Sequence, residues 1–312
     1  MSMMKNLLLF LVFGVSVFGQ EAERGYQLSK KSWAPPVGMK LSVVSESSVL
    51  QGRVKTSNNE SWSNGTLRYL GGQKLIGECL DEQTVKLDFK SRSGIYRRFS
   101  DGTRSNTIEY SPLHGKVVLL TKDGEGWNAQ VEEENQGEDE KEEDEEDVED
   151  EEDEEDEEDE EDEDRLKREL EEVEHSMETD YSLNLFGTEA RKVGETWKVQ
   201  KPVLPWFNLE EVLEGEATVT FDKVEEVNGD PAAFLSFSTT VKTKGVTGES
   251  SYEVTFKGKG AIVRSLKYLI DYDTTAEGKV EVDMRADTTL VQTKANYRLE
   301  QKIEFLTKEK GE

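Results

Sequence analysis

The sequence holds one cysteine, two histidines and six prolines in 312 residues. A single cysteine excludes an internal disulfide framework, so the fold must rest on its packed core. One cysteine with two histidines also leaves too few ligands for a zinc centre. A basic surplus is missing: 39 Lys and Arg face 68 Asp and Glu, for a net charge of −29. Phosphate neutralisation needs a basic surface, which argues against nucleic acid as a partner. No apolar run after residue 18 is long enough to span a bilayer as a helix. There is no G-x-S-x-G elbow and no Walker A loop, and Gly71-Gly72 and Gly258-x-Gly260 read as strand breaks rather than phosphate cradles. No cofactor and no metal centre are expected.

The one long apolar run sits at the start. Lys5 precedes Leu7 to Phe18 (LLLFLVFGVSVF), and Val17 and Gly19 are small enough for a cleavage site after Gly19. Residues 1–19 therefore read as a cleavable signal peptide, too short for a transmembrane helix. The expected location is secreted or periplasmic, with no transmembrane segment in the mature chain.

The negative charge is concentrated. Glu138 to Asp164 holds 25 acids, with only Lys141 and Val148 interrupting, and carries −24 of the −29. Such a block buries no apolar area and repels itself, so 132–164 reads as a disordered, solvated low-complexity insert. Its partners would be diffuse cations or a basic surface. A calcium cage needs several oxygens fixed around a glycine-bearing loop, which this repeat lacks.

The remaining segments carry β patterning. Residues 20–38 form an extended lead-in with Pro35-Pro36. In 39–131, Val85, Leu87 and Phe89 alternate with Lys86, Asp88 and Lys90, and Lys122-Asp123-Gly124 marks a turn. In 165–179, Leu166, Leu170, Val173 and Met177 recur at helical spacing, which predicts an amphipathic helix packed on a face or edge of a sheet. In 180–310, Ala217, Val219 and Phe221 alternate, as do Leu235, Phe237, Thr239 and Val241, and also Leu266, Tyr268, Ile270 and Tyr272. Asn228-Gly229-Asp230 and Thr275 to Gly278 read as hairpin turns. The expected fold is mainly β. Long antiparallel meander strands form curved sheets, as a half-barrel or sandwich, with one amphipathic helix and the acidic insert.

Three passages carry a resemblance. Ser111 to Lys116 (SPLHGK) followed by Asp123-Gly124, Val193 to Trp197 (VGETW), and the C-terminal strand succession with Asn228-Gly229-Asp230 are similar to exported bacterial β-rich proteins of unknown function. The second passage resembles their "VGDxW" element. The resemblance implies a β-rich envelope or secreted protein, and no catalytic residues come with it.

Candidate sites are few. His114 and His175 read as surface residues, Cys79 as a small buried hydrophobe, and Asp271, Asp273, Glu277 and Asp283 as strand-end carboxylates. No catalytic residue is assigned. In PVLPWFNL (202–209), Trp206 and Phe207 are the candidate ligand- or partner-binding residues, with a loop folded onto the core as the plainer reading. The expected function is a non-enzymatic binding or interaction module of the cell envelope or periplasm. The alternatives are a carrier or chaperone holding an apolar ligand or lipid in a curved-sheet cavity, and a secreted carboxylate-based hydrolase.

Overall fold

The computed structural model describes residues 24–31, 35–58, 61–100, 103–124, 126–132, 152–204, 211–247, 250–286 and 289–306. The leader expected at 1–19, the acidic stretch through residue 151, and Trp206 with Phe207 lie outside the described residues.

In chain order the elements are β1 (Gly25–Tyr26), β2 (Lys40–Asn58), β3 (Ser61–Cys79), β4 (Thr84–Ser100), β5 (Thr103–Tyr110), β6 (Val117–Asp123), β7 (Gly126–Val131), α1 (Glu152–Glu178), α2 (Tyr181–Phe186), β8 (Arg191–Lys192), β9 (Thr196–Gln200), β10 (Glu211–Val227), β11 (Asp230–Thr247), β12 (Ser250–Ser265), β13 (Asp271–Ala286) and β14 (Thr289–Phe305). Twelve strands make one antiparallel sheet, in the order β7-β6-β4-β3-β2-β14-β13-β12-β11-β10-β9, with β5 on the far half of β4. The sheet is curved and does not close into a barrel. The two patterned regions of the sequence meet where β14 pairs with β2, from Phe305 opposite Leu41 to Thr289 opposite Asn58.

Alternation builds the long strands. Trp197, Val219, Phe221, Leu235, Phe237, Val241, Phe256, Ala276 and Leu299 turn inward into one cluster, which Leu28, Leu185, Phe186 and Leu204 join from outside the sheet. Outward positions carry cross-strand ion pairs: Lys259 lies opposite Glu277 at 3.2 Å and Lys294 opposite Glu281 at 2.7 Å. Such exposed pairs contribute little each, but they keep this face in water. Asn228 and Gly229 have φ of 53° and 83°, the left-handed pair that a tight hairpin between β10 and β11 requires.

Three expectations are corrected. Leu266, Tyr268 and Ile270 do not continue a strand; they lie in the link between β12 and β13, with Leu269 at φ 54°. Ser265 fixes this link: its Oγ accepts from Tyr268 N at 3.0 Å and its N–H donates to Ile270 O at 2.8 Å. The link is apolar because it packs inward, with the Tyr268 ring 4.8 Å from that of Phe305. Thr275 to Gly278 is not a turn but the interior of β13, and Gly258 and Gly260 do not break β12. Gly258 lies opposite Gly278, and a Cβ on either would run into the Phe256 ring and the neighbouring strand. These glycines make room for an aromatic ring.

The helix α1 starts at Glu152, earlier than the expected Arg165. Glu is a good helix former, so the backbone there can take helical geometry. The predicted stripe works as expected: Leu166, Leu170, Val173 and Met177 pack on Val85, Phe89, Leu113, Val118, Leu120 and Ala129. The helix also covers an edge. Glu174 accepts from Ala129 N at 2.7 Å and Glu178 from Trp127 N at 3.4 Å, so its carboxylates occupy outer N–H groups of β7.

The short α2 has Asp180 as its N-cap, accepting from Leu183 N at 2.8 Å. Beneath it lies a buried ion pair between Arg264 and Asp271, 1% and 5% exposed. Arg264 Nε also donates to Leu28 O at 2.6 Å and Nη2 to Ser182 Oγ at 3.0 Å, and its guanidinium lies 4.8 Å from the centre of the Phe186 ring.

Candidate functional site

The inner face of the sheet changes character between β14 and β4. Register places residues in rows across β14, β2, β3 and β4. One row is Tyr297, Val49, Tyr69 and Tyr96; the next is Leu299, Ser47, Gly71 and Gly94. Then come Gln301, Ser45, Gln73 and Arg92, followed by Ile303, Val43, Leu75 and Phe89. The two middle rows are dominated by small or polar residues, so the sheet there is hollowed between an aromatic wall and an aliphatic one. The Tyr69 ring leans over Gly71 and Gly94, where a Cβ would collide with it.

The helix α1 roofs this hollow. Glu169, Glu172, Val173, Ser176 and Met177 face it, and the half-open chamber beneath them measures about 890 Å³. That size suits a small organic ligand. Arg92 reaches up from β4 to Glu169 at 3.1 Å and Glu172 at 3.5 Å, and Ser111 Oγ donates to Glu169. These contacts pin the roof. Burial raises the Glu172 carboxyl above its ordinary value, although Arg92 pulls it down. Burial also raises the phenols of Tyr69 and Tyr297 and pushes that of Tyr96 up to about 12. All three phenols are therefore neutral at physiological pH and act as hydrogen-bonding groups on an apolar ring.

The motifs singled out in the sequence are structural. In SPLHGK, Leu113 is fully buried, Leu113 N donates to Ser111 Oγ at 3.1 Å, and Gly115 N donates to Phe89 O at 2.8 Å. The loop thus carries the chain from β5 to β6 and anchors α1. In VGETW, Gly194 sits at φ 85° and donates to Phe221 O at 2.6 Å. Glu195 accepts from Lys192 N at 2.9 Å and Arg191 at 2.7 Å, contacts that lower its pKa. Trp197 Nε1 donates to Leu185 O at 2.9 Å.

The other candidates do not assemble. His114 accepts from Arg92 N at 3.2 Å and stacks edge-on against Tyr110, while His175 lies beside Thr179 near the end of α1. Among the described residues no cluster of His, Cys, Asp or Glu is arranged to hold a metal. Asp271 is engaged by Arg264. Next to the undescribed Trp206 and Phe207, Leu204 is buried in the main core and Val203 N donates to Asn184 Oδ1 at 2.8 Å. No helix among the described residues is long and apolar enough to cross a membrane.

Cys79 is 6% exposed, its thiol donates to Asp81 O at 3.2 Å, and burial with nearby Asp81 raises its pKa. The native protein is expected to react with a thiol reagent at least about a hundredfold more slowly than the unfolded chain. Timed alkylation read by mass spectrometry checks this, and native labelling at the free-thiol rate would contradict the burial.

No family model and no curated protein matches the chain. Among solved structures it is similar to lipovitellin in a study of its lipid–protein interactions, at a TM-score of 0.41 and 10% identity over 89% of this chain. This chain spans only 27% of that one. It is also similar to an outer membrane channel from Pseudomonas putida F1, at a TM-score of 0.25 and 8% identity over 89% of this chain and 99% of that one. A third is a β-barrel-like protein of unknown function from Brucella abortus, at a TM-score of 0.20 and 9% identity over 88% of this chain and 100% of that one. Nothing of function is carried over at these levels of similarity.

Proposed function

We propose that the chain is an exported, non-enzymatic binding protein, and that its chamber holds one small amphipathic ligand. The observation that carries this reading is the contrast between the two parts of one sheet. Over β10 to β13 the inner face is filled by Phe221, Leu235, Phe237 and Phe256. Over β2 to β4 it recedes to Ser45, Ser47, Gly71 and Gly94 beneath a helix, leaving about 890 Å³. Leu75, Phe89, Val173 and Met177 suit a hydrocarbon body, while Gln73, Gln301 and the serines suit a hydrogen-bonding head. The hydrolase alternative fits less well, because Arg92 holds both roof carboxylates, Glu169 and Glu172. Export rests on the pattern of residues 1–19, and the resemblance to envelope proteins agrees with it.

The test has two arms. Protein purified from its host is denatured and its extract analysed for small molecules, and the folded protein is titrated with a fluorescent fatty acid. A co-purifying amphiphile and saturable probe binding are expected. Ser45→Phe, which fills the hollow, is expected to weaken probe binding at least about tenfold. Absence of both ligand and probe binding, or unchanged affinity in a folded Ser45→Phe protein, would refute the carrier reading.

A further inference from the structure

The opposite face of the same strands carries a different surface. Period-two alternation turns Tyr69 and Tyr96 toward the chamber and Arg68 and Arg97 away from it. Register adds Arg53, Lys55 and Arg104 to that outer face, through the pairs Arg53 with Thr66, Lys55 with Asn64, and Phe99 with Arg104. All five basic side chains are exposed, and none has a carboxylate partner among the described residues. The neighbouring strands behave differently: Lys294, one strand over from Arg53, is paired with Glu281 at 2.7 Å. Arg68 lies directly opposite Arg97, an arrangement that disfavours the isolated protein and is relieved by an anion. Between and beside these bases the same face exposes Phe99 and Ile108, at 49% and 59%. Ile95 lies between Leu70 and Ile108 in a row of apolar side chains.

We infer that this face docks onto a lipid bilayer bearing anionic headgroups. Charge complementarity selects the partner's sign: five unpaired cations cluster on a protein whose net charge is −29. The interleaved Phe99 and Ile108 select a bilayer over an acidic polypeptide. Guanidinium groups engage phosphates at the surface while the phenyl and aliphatic groups enter the interfacial layer beneath. The basic face and the chamber lie on opposite sides of the sheet, so docking does not require a ligand in the chamber.

The experiment uses the full chain and sedimentation with large vesicles, either of phosphatidylcholine alone or with about 30% phosphatidylglycerol. Binding to the anionic vesicles is expected to exceed that to neutral ones at least about tenfold, and to be lost in about 0.5 M salt. Arg68→Gln with Arg97→Gln is expected to weaken it about thirtyfold, whereas Arg68→Lys with Arg97→Lys retains it. Phe99→Ser is expected to weaken binding several-fold without changing its salt dependence. Lys259→Gln, a paired base elsewhere on the sheet, serves as the neutral control, and thermal melts verify that each variant is folded. No binding to anionic vesicles at low salt, equal binding by the folded Gln pair, or stronger capture by polyglutamate beads than by vesicles would each overturn the inference.

Discussion

Replacing Arg264 with alanine is expected to cost about 3–5 kcal/mol of folding stability, because it leaves a buried carboxylate without its counter-charge. The loss spreads beyond the pair. Arg264 also satisfies Leu28 O and Ser182 Oγ and lies over Phe186, so one side chain ties the N-terminal lead-in and α2 to β12 and the start of β13. Tyr181 leans on the same carboxylate, with Oη 3.4 Å from Asp271 Oδ2, and its phenol is raised well above its ordinary value, first by burial and then by Asp271. Asp271→Asn alone should also destabilise. The double variant Arg264→Met with Asp271→Leu should lose less than the two single losses combined, since it removes the buried charges together. Denaturant titrations of the four proteins measure this. An Arg264→Ala protein with an unchanged midpoint would show that the pair is not buried in solution.

Phe89→Ala and Phe221→Ala are each expected to cost about 3–5 kcal/mol, and to lower one shared transition. The rings belong to different clusters. Phe89 packs with the stripe of α1, and Phe221 with Trp197 and Leu235 in the larger core. Separate domains would melt separately. Here β2 and β14 share a ladder along nearly their full lengths, so neither cluster is released without opening an edge in the other's sheet. Calorimetry should give one peak for the parent and one, at lower temperature, for each variant. Two peaks, each moved by only one substitution, would divide the protein into two folding units.

Much of this architecture was legible as pattern. Period two at Val219 and Phe221, left-handed residues at Asn228-Gly229, and the spacing from Leu166 to Met177 each report a local requirement, and the structure meets each one. The misread passages are those where a tertiary contact imitates a local signal. Leu266, Tyr268 and Ile270 alternate because an irregular link packs inward, with Tyr268 against Phe305. Gly258 reads as a break and Gly278 as part of a turn because the sequence does not show the Phe256 ring above them. The chamber was hidden for the same reason. Ser47 and Gly94 carry no signal along the chain and Gly71 reads as a strand break, though β3 runs through it; the three become one hollow only when the register aligns them. The single available hint was glycine beside tyrosine in β3 and β4, at Tyr69 with Gly71 and Gly94 with Tyr96.

The β2–β14 ladder also sets an order of events for a chain that emerges from its N-terminus. Leu41 must wait for Phe305, so the central seam of the sheet is sealed last. Until then β2 exposes a bare edge nineteen residues long, the type of surface that recruits other copies. A protein synthesised in this direction needs a holding factor, or rapid completion of the chain, until its final strand arrives.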